Sequence, residues 1–399
     1  MKHGFRLTAI MGAALLVGTP FSVSAQEGAE ASCVEAFEAG TDYFPDKVEP
    51  RHSSFWSIAY HGNYKVLTVP DSEFPDRPDL TYVLVQCGTP APELTGELDG
   101  ALVVDVPVDR TMITHNNGLA MLDEIGALGT IVGVSNGMLN SAGSDHWFGR
   151  VLDAANDPQN LGASGIDFET ALGLEADILI MAGYGPGYTE VADERERGLP
   201  AIMVSNRIEP TPLGSSEWLK FLSAFYNLEG HANEHFDAIE ARYQEVVDAV
   251  SGQLPSDFSA AYACIGEQRG CTFMYAHGAN SLNGQILDTL GVDNPFAENN
   301  EAGNGMTFDY ETSLGRAADT DFFIIYYEMA VNTETIATDT RYQSFPALAE
   351  GNYLTGTDDN YAECGATNYV HVDRLIRDYA IGILPDQFAG ESGVCFTRP

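Results

Sequence analysis

Basic residues are scarce in this sequence. Its 399 residues include 19 lysines and arginines against 58 aspartates and glutamates, which gives a formal net charge of −39. A field of this sign repels nucleic acid and anionic lipid surfaces, so neither is expected as a partner. Such an excess of acid is typical of a hydrated surface that keeps a protein soluble, and a specific cation-binding role is the weaker interpretation.

Long apolar runs are absent after the first 25 residues, since no later segment approaches the ~18 to 20 apolar residues that cross a bilayer. Residues 1–25 have the pattern of a secretory signal peptide, with a basic start, an apolar run over 7–18 and small or apolar residues at 23–25. The first cysteine, Cys33, lies 8 residues beyond the expected cleavage point, which argues against a lipid-modified N-terminus. The mature protein is expected to be periplasmic, and not lipid-anchored.

Signatures of nucleotide chemistry are also missing. The sequence has no P-loop and no G-x-G-x-x-G that opens a helix after a strand. A local match to a metalloprotease pattern does occur, because H-A-N-E-H at 231–235 fits H-x-x-E-H. His231 and His235 would share a helix face and could hold zinc while Glu234 activates water. A five-residue pattern arises easily by chance, so a secreted zinc hydrolase is the remote alternative.

The six cysteines are even in number, which favours disulfides in an exported protein, with 15 possible connectivities. Their spacing contains no C-x-x-C, so a thiol metal site is not expected. Cys264 and Cys271 bracket a short loop and are predicted to pair. Sequence neighbourhood then favours two further pairs, Cys33 with Cys87 and Cys364 with Cys395.

The chain after the signal divides into four parts. Residues 26–100 form an extension whose strand-like runs, 64–69 and 81–87, are predicted to pair as a β-hairpin. Residues 101–212 alternate short buried strands with helices, which predicts an N-terminal α/β lobe with a mainly parallel sheet, and its first strand is expected at 101–108.

A long helical stretch follows at 213–252, where apolar residues recur every three or four positions and Gly230 marks a break between two helices. From 253 to 399 the alternation of strands and helices resumes. The expected fold is therefore α/β, with two similar lobes joined by a long linker helix and preceded by the hairpin extension.

One short segment occurs in both lobes. D-F-E-T-A-L-G begins at Asp167 and D-Y-E-T-S-L-G begins at Asp309, 142 residues later. Each Asp suits the N-cap of a helix, and Glu169 and Glu311 then lie in the first turn near the positive end of the helix dipole. Capping alone could explain the acids, but not their equivalent places in both lobes. A symmetric pair of exposed carboxylates would suit a partner with two basic sockets.

The layout now resembles a known family. An export signal, a lobe containing F-E-T-A-L-G-L-E-A-D-I-L-I, a helical linker and a lobe containing Y-E-T-S-L-G-R-A-A-D-T-D-F-F-I-I are similar to the substrate-binding proteins of ABC importers that carry iron-siderophores, haem and cobalamin. The resemblance covers about residues 101–385. It implies that Glu169 and Glu311 pair with arginines of a membrane permease, that the linker helix permits only modest closure, and that the protein is a monomer without enzyme activity or cofactor.

A ligand of such a protein lies between the lobes, at loops that follow the carboxyl ends of strands. Aromatic and arginine side chains there would suit a bulky, partly anionic ferric siderophore. Cobalamin or haem is the next choice. A bare metal ion would need His115, His277 and Glu328. The predicted cleft residues are Arg110, Thr111, His115, Tyr184, Tyr188, Asn206, Arg207, Tyr275, His277 and Tyr327.

Overall fold

A computed structural model gives the structure of part of the chain. The described residues are 33–71, 76–139, 147–155, 157–162, 165–183, 191–265, 273–298, 305–325, 333–356 and 361–399. No helix in these ranges is both long and apolar enough to cross a bilayer. Tyr184, Tyr188, Cys271, Tyr327 and Glu328, which the sequence singled out, lie outside them.

The sheet of the N-terminal extension contains the predicted hairpin and two further strands, one on each side of it. Strands at 64–69 and 80–86 pair antiparallel, as expected. The strand at 102–106, assigned from sequence to the first lobe, pairs in parallel with the second hairpin strand, with Leu84 opposite Val104. That assignment is therefore wrong. The strands are β1 Ser57–Tyr60, β2 Tyr64–Val69, β3 Leu80–Gln86 and β4 Leu102–Val106, and they are ordered β1-β2-β3-β4.

Burial explains the difference. Val104 and Val106 in β4 are buried while Val103 and Asp105 are exposed, as in an edge strand with one wet face. The strands of the first lobe are instead buried at nearly every position, which is typical of a parallel sheet covered by helices on both faces. An apolar run alone does not distinguish the two environments.

The N-terminal lobe has a fully parallel sheet of five strands among the described residues, in the order β7-β6-β5-β8-β9. This confirms the predicted α/β alternation. Its elements are β5 Thr111–Ile113, α1 Asn116–Glu124, β6 Ile131–Val134, α2 Asn136–Leu139, α3 Trp147–Asp153, β7 Gln159–Asn160, α4 Phe168–Gly173, β8 Ile178–Ala182, α5 Val191–Glu196 and β9 Ala201–Val204.

The linker consists of two helices, α6 Pro212–Ser223 and α7 Glu229–Val250. The N-cap Thr211 accepts a hydrogen bond from the Gly214 N–H at 3.1 Å, and Pro212 occupies the first helical position, where its missing N–H costs nothing. Every residue of α6 is buried. The chain leaves the helical path between Ala224 and Leu228, just before the predicted break.

The C-terminal lobe has a mixed sheet in the order β12-β11-β10-β13-β14-β15, whose central strands β10, β13 and β14 are parallel. Its elements are β10 Ala260–Ile265, β11 Met274–His277, α8 Leu282–Thr289, β12 Gly305–Phe308, α9 Tyr310–Ala317, β13 Phe322–Ile325, α10 Thr333–Thr338, α11 Pro346–Ala349, β14 Tyr353–Gly356, α12 Tyr361–Thr367, α13 Val372–Ile383 and β15 Phe396–Thr397.

One continuous hydrophobic core joins the extension, the first lobe, the linker and α13. Leu67 from the extension, Ile180 from the first lobe, Phe221 from the linker and Leu375 from α13 all belong to it and are fully buried. The second lobe adds a smaller core around Phe273 and other aromatic rings. The extension is thus an integral part of the fold.

Buried charges bind the extension to the linker helices. The Glu217 carboxylate accepts backbone N–H bonds from Arg51, His52 and Ser53 at 2.7–2.9 Å and pairs with Lys220 at 3.0 Å. Burial alone would raise the pKa of Glu217, but these hydrogen bonds and the Lys220 charge outweigh burial and lower it.

A second buried pair joins Lys65 of β2 to the start of α7. The Lys65 ammonium donates to the Ala224 carbonyl at 2.5 Å, to Asn227 Oδ1 at 2.8 Å and to Glu229 Oε1 at 2.6 Å. All three of its hydrogens therefore have acceptors, which a buried ammonium requires.

Cys364 on α12 and Cys395 near the C-terminus form a disulfide with Cα atoms 5.7 Å apart, the pairing expected for these two residues. Cys33, Cys87 and Cys264 are also disulfide-bonded. The predicted partner of Cys264, Cys271, lies outside the described residues. The Cys33–Cys87 and Cys264–Cys271 pairs stay predictions.

Candidate functional site

Strand direction decides which predicted residues can face the space between the lobes. In the first lobe β5, β6, β8 and β9 all run the same way, so their carboxyl ends share one edge. His115 follows β5, and Asn206 and Arg207 follow β9. In the second lobe the loops after β10, β13 and β14, at 266–272, 326–332 and 357–360, lie outside the described residues.

Arg110 and Thr111 lie at the opposite edge, because Arg110 precedes β5 and Thr111 is its first residue. The Arg110 guanidinium donates twice to the Leu174 carbonyl, at 3.1 and 2.8 Å. The fully buried Thr111 hydroxyl bonds the Tyr226 hydroxyl at 2.8 Å. Neither is a cleft residue in this structure. The prediction was wrong because it took β4 as the first strand of the lobe.

Tyr275 and His277 lie in β11, which runs antiparallel to β10, so β11 begins beside the carboxyl end of β10 and runs away from it. His277 is buried with its ring 4.9 Å from that of Tyr262, and burial lowers the pKa of His277 to about 4. The Tyr275 hydroxyl accepts the Gly305 N–H at 2.8 Å. Tyr275 lies opposite Cys264, the next-to-last residue of β10, and so is near the carboxyl end of that strand, whereas His277 lies farther from that end.

His115, Asn206 and Arg207 do belong to one polar cluster, at the carboxyl edge of the first lobe. The Arg207 Nε donates to Asn117 Oδ1 at 2.7 Å, and its guanidinium lies 4.6 Å from the centre of the Tyr369 ring. Asn117 in turn donates to the Ala366 carbonyl at 3.0 Å. The segment that follows β14 in the second lobe therefore covers this edge of the first.

The cluster contains buried polar groups that the described residues leave unsatisfied. Neither ring nitrogen of His115 makes a hydrogen bond of normal geometry there, and neither does the side-chain amide of Asn206. Burial, followed by the Arg207 charge, lowers the pKa of His115 to about 3, so its imidazole is neutral at physiological pH. A neutral imidazole, a free amide and one guanidinium can offer hydrogen bonds and a single positive charge.

A separate cavity of about 660 Å³ lies between the segment after β9, helix α7 and helix α8. None of the predicted cleft residues that the structure describes lines it. Its polar side chains, among the described residues, are acids, amides, hydroxyls and the His52 imidazole, without arginine or lysine. Gln285 bridges its walls by donating to the Glu209 carbonyl at 2.8 Å. The lining residues that define it are Glu209, Thr211, Tyr243, Gln244, Gln285 and Asp288.

Glu209 is the most constrained of these residues. Only 2% of it is exposed, and its Oε1 accepts from Trp218 Nε1 at 2.7 Å and from the Ser53 hydroxyl. Burial raises the pKa of Glu209. Sequence reasoning missed this cavity because its walls come from four separate parts of the chain, including His52 of the extension.

The repeated helix starts have the same geometry in both lobes. Asp167 caps α4 by accepting the Thr170 N–H at 3.2 Å, and Asp309 caps α9 by accepting the Thr312 N–H at 2.8 Å. Glu169 and Glu311 are both exposed in the first turn. Each lobe therefore presents one solvent-facing carboxylate at an equivalent place.

The H-x-x-E-H residues lie on the first turns of α7. His235 Nδ1 lies 2.6 Å from Glu124 Oε1, and His371 Nε2 lies 3.1 Å from Glu124 Oε2. Burial would raise the pKa of Glu124, but its bonds to His371 and His235 outweigh burial and lower it to about 2. Glu234 is exposed. This arrangement holds three helices together and does not resemble a hydrolase centre.

The chain also contains G-V-S-N-G at 133–137, which matches the G-x-S-x-G pattern of serine hydrolases and spans the end of β6 and the start of α2. A nucleophile elbow places its serine in a strained backbone turn. Ser135 is not among the described residues with positive φ, which are Asp157, Glu175 and Asn227 apart from glycines. The match therefore carries no catalytic meaning here.

Metal ligands do not cluster in the part of the chain that the structure describes, where no three His, Cys, Asp or Glu side chains converge in a way that could hold an ion. His115 and His277 thus form no such group there. Glu328, the third residue of the bare-metal alternative, is outside the described ranges.

Comparison with known proteins identifies the class. A family model described as "periplasmic binding protein" matches residues 112–359, which is more than half of the chain. An uncharacterized lipoprotein of Methanocaldococcus jannaschii is 23% identical over 337 residues, covering 82% of this chain and 77% of the relative.

Solved structures share the fold at low identity. The triscatecholate siderophore binding protein FeuA of Bacillus subtilis, complexed with ferri-bacillibactin, has a TM-score of 0.54 at 17% identity, covering 72% of this chain and 96% of FeuA. The molybdate-binding protein MolA of Haemophilus influenzae has a TM-score of 0.54 at 14% identity, covering 70% and 90%. The chain belongs to the periplasmic binding protein family, whose members are solute-binding proteins of ABC importers and not enzymes.

Proposed function

We propose that this protein captures a ferric siderophore between its two lobes and delivers it to an ABC importer, to which it docks through Glu169 and Glu311. It acts as an extracytoplasmic monomer exported by residues 1–25. It carries no lipid anchor, although the archaeal relative is named a lipoprotein, and mass spectrometry of the mature N-terminus tests this.

The observation that carries the docking proposal is the equivalence of the two helix starts. Each has an Asp cap and, two residues later, a Glu that the described residues leave exposed. The two carboxylates need no partner for the fold, unlike Glu217. A permease with one basic socket per half would form two charge-assisted pairs with them.

The ligand proposal rests on the polar cluster at the carboxyl edge of the first lobe. Arg207 supplies a guanidinium suited to carboxylate or catecholate oxygens, and His115 and Asn206 offer buried hydrogen-bonding groups. The structural similarity to FeuA, a siderophore-binding protein, supports this chemistry. The described lining of the cavity beside Glu209 includes acids and no arginine or lysine, so that cavity is less suited to an anionic chelate.

A ligand panel tests the first half of the proposal. Tryptophan fluorescence can report binding because Trp147 lies on α3, which packs against α12 near the polar cluster. We expect one tight ligand among catecholate and hydroxamate ferric siderophores. A response only to haem, cobalamin, molybdate or a free metal ion would show that the ligand is not a ferric siderophore. No response to any of these compounds would contradict chelate capture.

A pair of arginine variants then locates the site. Arg207→Gln should weaken binding of the anionic chelate about tenfold or more, because a charge-assisted hydrogen bond contributes about 1.5–3 kcal/mol. Arg110→Gln, at the opposite edge of the same sheet, is the matched control and should keep the wild-type affinity. The reverse result would place the ligand elsewhere.

A pair of glutamate variants tests docking. Glu169→Gln with Glu311→Gln should impair uptake by vesicles containing the importer while leaving the dissociation constant of the ligand unchanged. The control is Glu93→Gln with Glu97→Gln, which removes the same charge from exposed positions of the extension. Equal uptake by both double variants would refute the docking role without touching the ligand proposal.

A further inference from the structure

The first two turns of α7 carry two histidines at the protein surface. His231 and His235 are four residues apart, so they share one helix face, and their ring centres are 4.1 Å apart. His231 is exposed, and 36% of the His235 side chain is accessible. The two imidazoles therefore lie side by side in contact with solvent.

Glu124 fixes the orientation of one of these rings. An ionised carboxylate can only accept hydrogen bonds, so His235 Nδ1, 2.6 Å from Glu124 Oε1, must carry the hydrogen. The neutral imidazole then keeps its lone pair on Nε2. The other oxygen of Glu124 accepts from Nε2 of the buried His371 at 3.1 Å, which holds the carboxylate in place.

A carboxylate behind a histidine is the usual support of a metal-binding imidazole. It selects the tautomer, orients the ring and raises its basicity. Two histidines at positions i and i+4 can direct their outer nitrogens to one ion. Zn²⁺, Ni²⁺ and Cu²⁺ favour imidazole, whereas Mg²⁺ and Ca²⁺ favour oxygen ligands.

We propose that His231 and His235 form a surface site for one divalent transition-metal ion that prefers imidazole, with Glu124 as the supporting carboxylate of His235. Because no third protein ligand converges there among the described residues, water completes the coordination. The site is separate from the cleft between the lobes and performs no catalysis.

An ion bound at His231 and His235 would lie next to contacts that join the two lobes and the linker. Glu124 ends α1 of the first lobe, His235 lies on the linker, and His371 immediately precedes α13 in the second lobe. Arg242 of the linker also pairs with Asp373 of α13 at 2.6 Å. An ion on His235 polarises its Nδ1–H and so strengthens the bond to Glu124, which bridges both lobes and the linker.

Calorimetric titration of the untagged mature protein with NiCl₂ or ZnCl₂, without siderophore, tests the site. We expect one equivalent to bind to the wild type, and neither MgCl₂ nor CaCl₂ to compete. His231→Ala should abolish this binding, and Glu124→Gln should weaken it about tenfold or more. His61→Ala, which removes another exposed imidazole, is the control and should bind as the wild type does.

His231→Ala is the decisive variant because its side chain is exposed and the fold does not depend on it. A wild type that binds neither metal, or a His231→Ala variant that binds as tightly as the wild type, overturns the proposal. Since no chelate is present, this outcome leaves the proposed transport function unaffected.

Discussion

Glutamates in two regions of the molecule occupy opposite environments. Glu217 in α6 is fully buried, accepts three backbone N–H bonds from the extension and pairs with Lys220. Glu169 and Glu311 at the repeated helix starts are exposed and take part in no described hydrogen bond. The same side chain thus joins parts of the fold in one place and is free for a partner in the other.

This difference distinguishes the acidic residues that stabilise the fold from those that the fold does not need. A buried carboxylate is stable only where hydrogen bonds and a counter-charge replace water, so removing it leaves other buried groups unsatisfied. An exposed carboxylate can be removed at little cost to the fold. Stability and uptake should therefore respond to different glutamates.

The largest expected effect is that of Glu217→Ala. It leaves the Lys220 ammonium buried without its carboxylate and three N–H groups without an acceptor, so the free energy of unfolding should fall by about 3–5 kcal/mol. Urea denaturation followed by circular dichroism measures this. Glu169→Ala should change the same quantity by about 0.5 kcal/mol or less. Similar losses from both variants would remove the distinction between the two regions.

Buried and exposed histidines should likewise differ in how they affect the pH dependence of stability. His277 has a folded-state pKa of about 4, while an unfolded histidine titrates near 6.5, so only the unfolded chain takes up this proton between those values. The folded state therefore loses about 1.4 kcal/mol per pH unit from this group as pH falls below about 6.5. In His277→Phe, the acid limb of the stability curve should be shallower by that amount.

The control for this experiment is His61→Phe, at a surface position, which should keep the wild-type slope. An unchanged slope in His277→Phe would show that the ring is protonated inside the fold. His115, with a pKa of about 3, should make a contribution of the same sign over a wider range.

The smallest effect concerns the two helix caps. Asp167→Ala and Asp309→Ala each remove one side-chain acceptor from a first-turn N–H, and each should lower the free energy of unfolding by about 1 kcal/mol. Thermal unfolding of the single and double variants measures this. Similar losses at the two sites would strengthen the equivalence of the lobes, while a loss at only one would show that the repeated sequence does not perform the same structural role twice.

Local pattern predicted the hairpin, the linker helices and the repeated helix starts, because each depends on periodicity or on a cap within a few residues. The direction of a strand depends on its neighbours in space. For that reason Arg110 and Thr111 were expected at the wrong edge of the sheet, and His277 was expected in the cleft although its antiparallel strand runs away from the carboxyl end of β10. The cavity beside Glu209 brings together residues as far apart in sequence as His52 and Thr289, which no local pattern indicates.

The parallel pairing of β3 with β4 has a consequence for how the protein can be shortened. A chain trimmed to begin at residue 101 would keep β4 but lose β3, the strand with which it pairs. The backbone of β4 would then have no partner strand, and Val104 and Val106 would lose part of their packing. A chain cut to the family-matched segment, 112–359, would also lose α13 and with it the wall of the core formed by Leu375 and Tyr379. The recognisable lobes are therefore not the minimal folding unit, which begins at the extension and ends beyond α13.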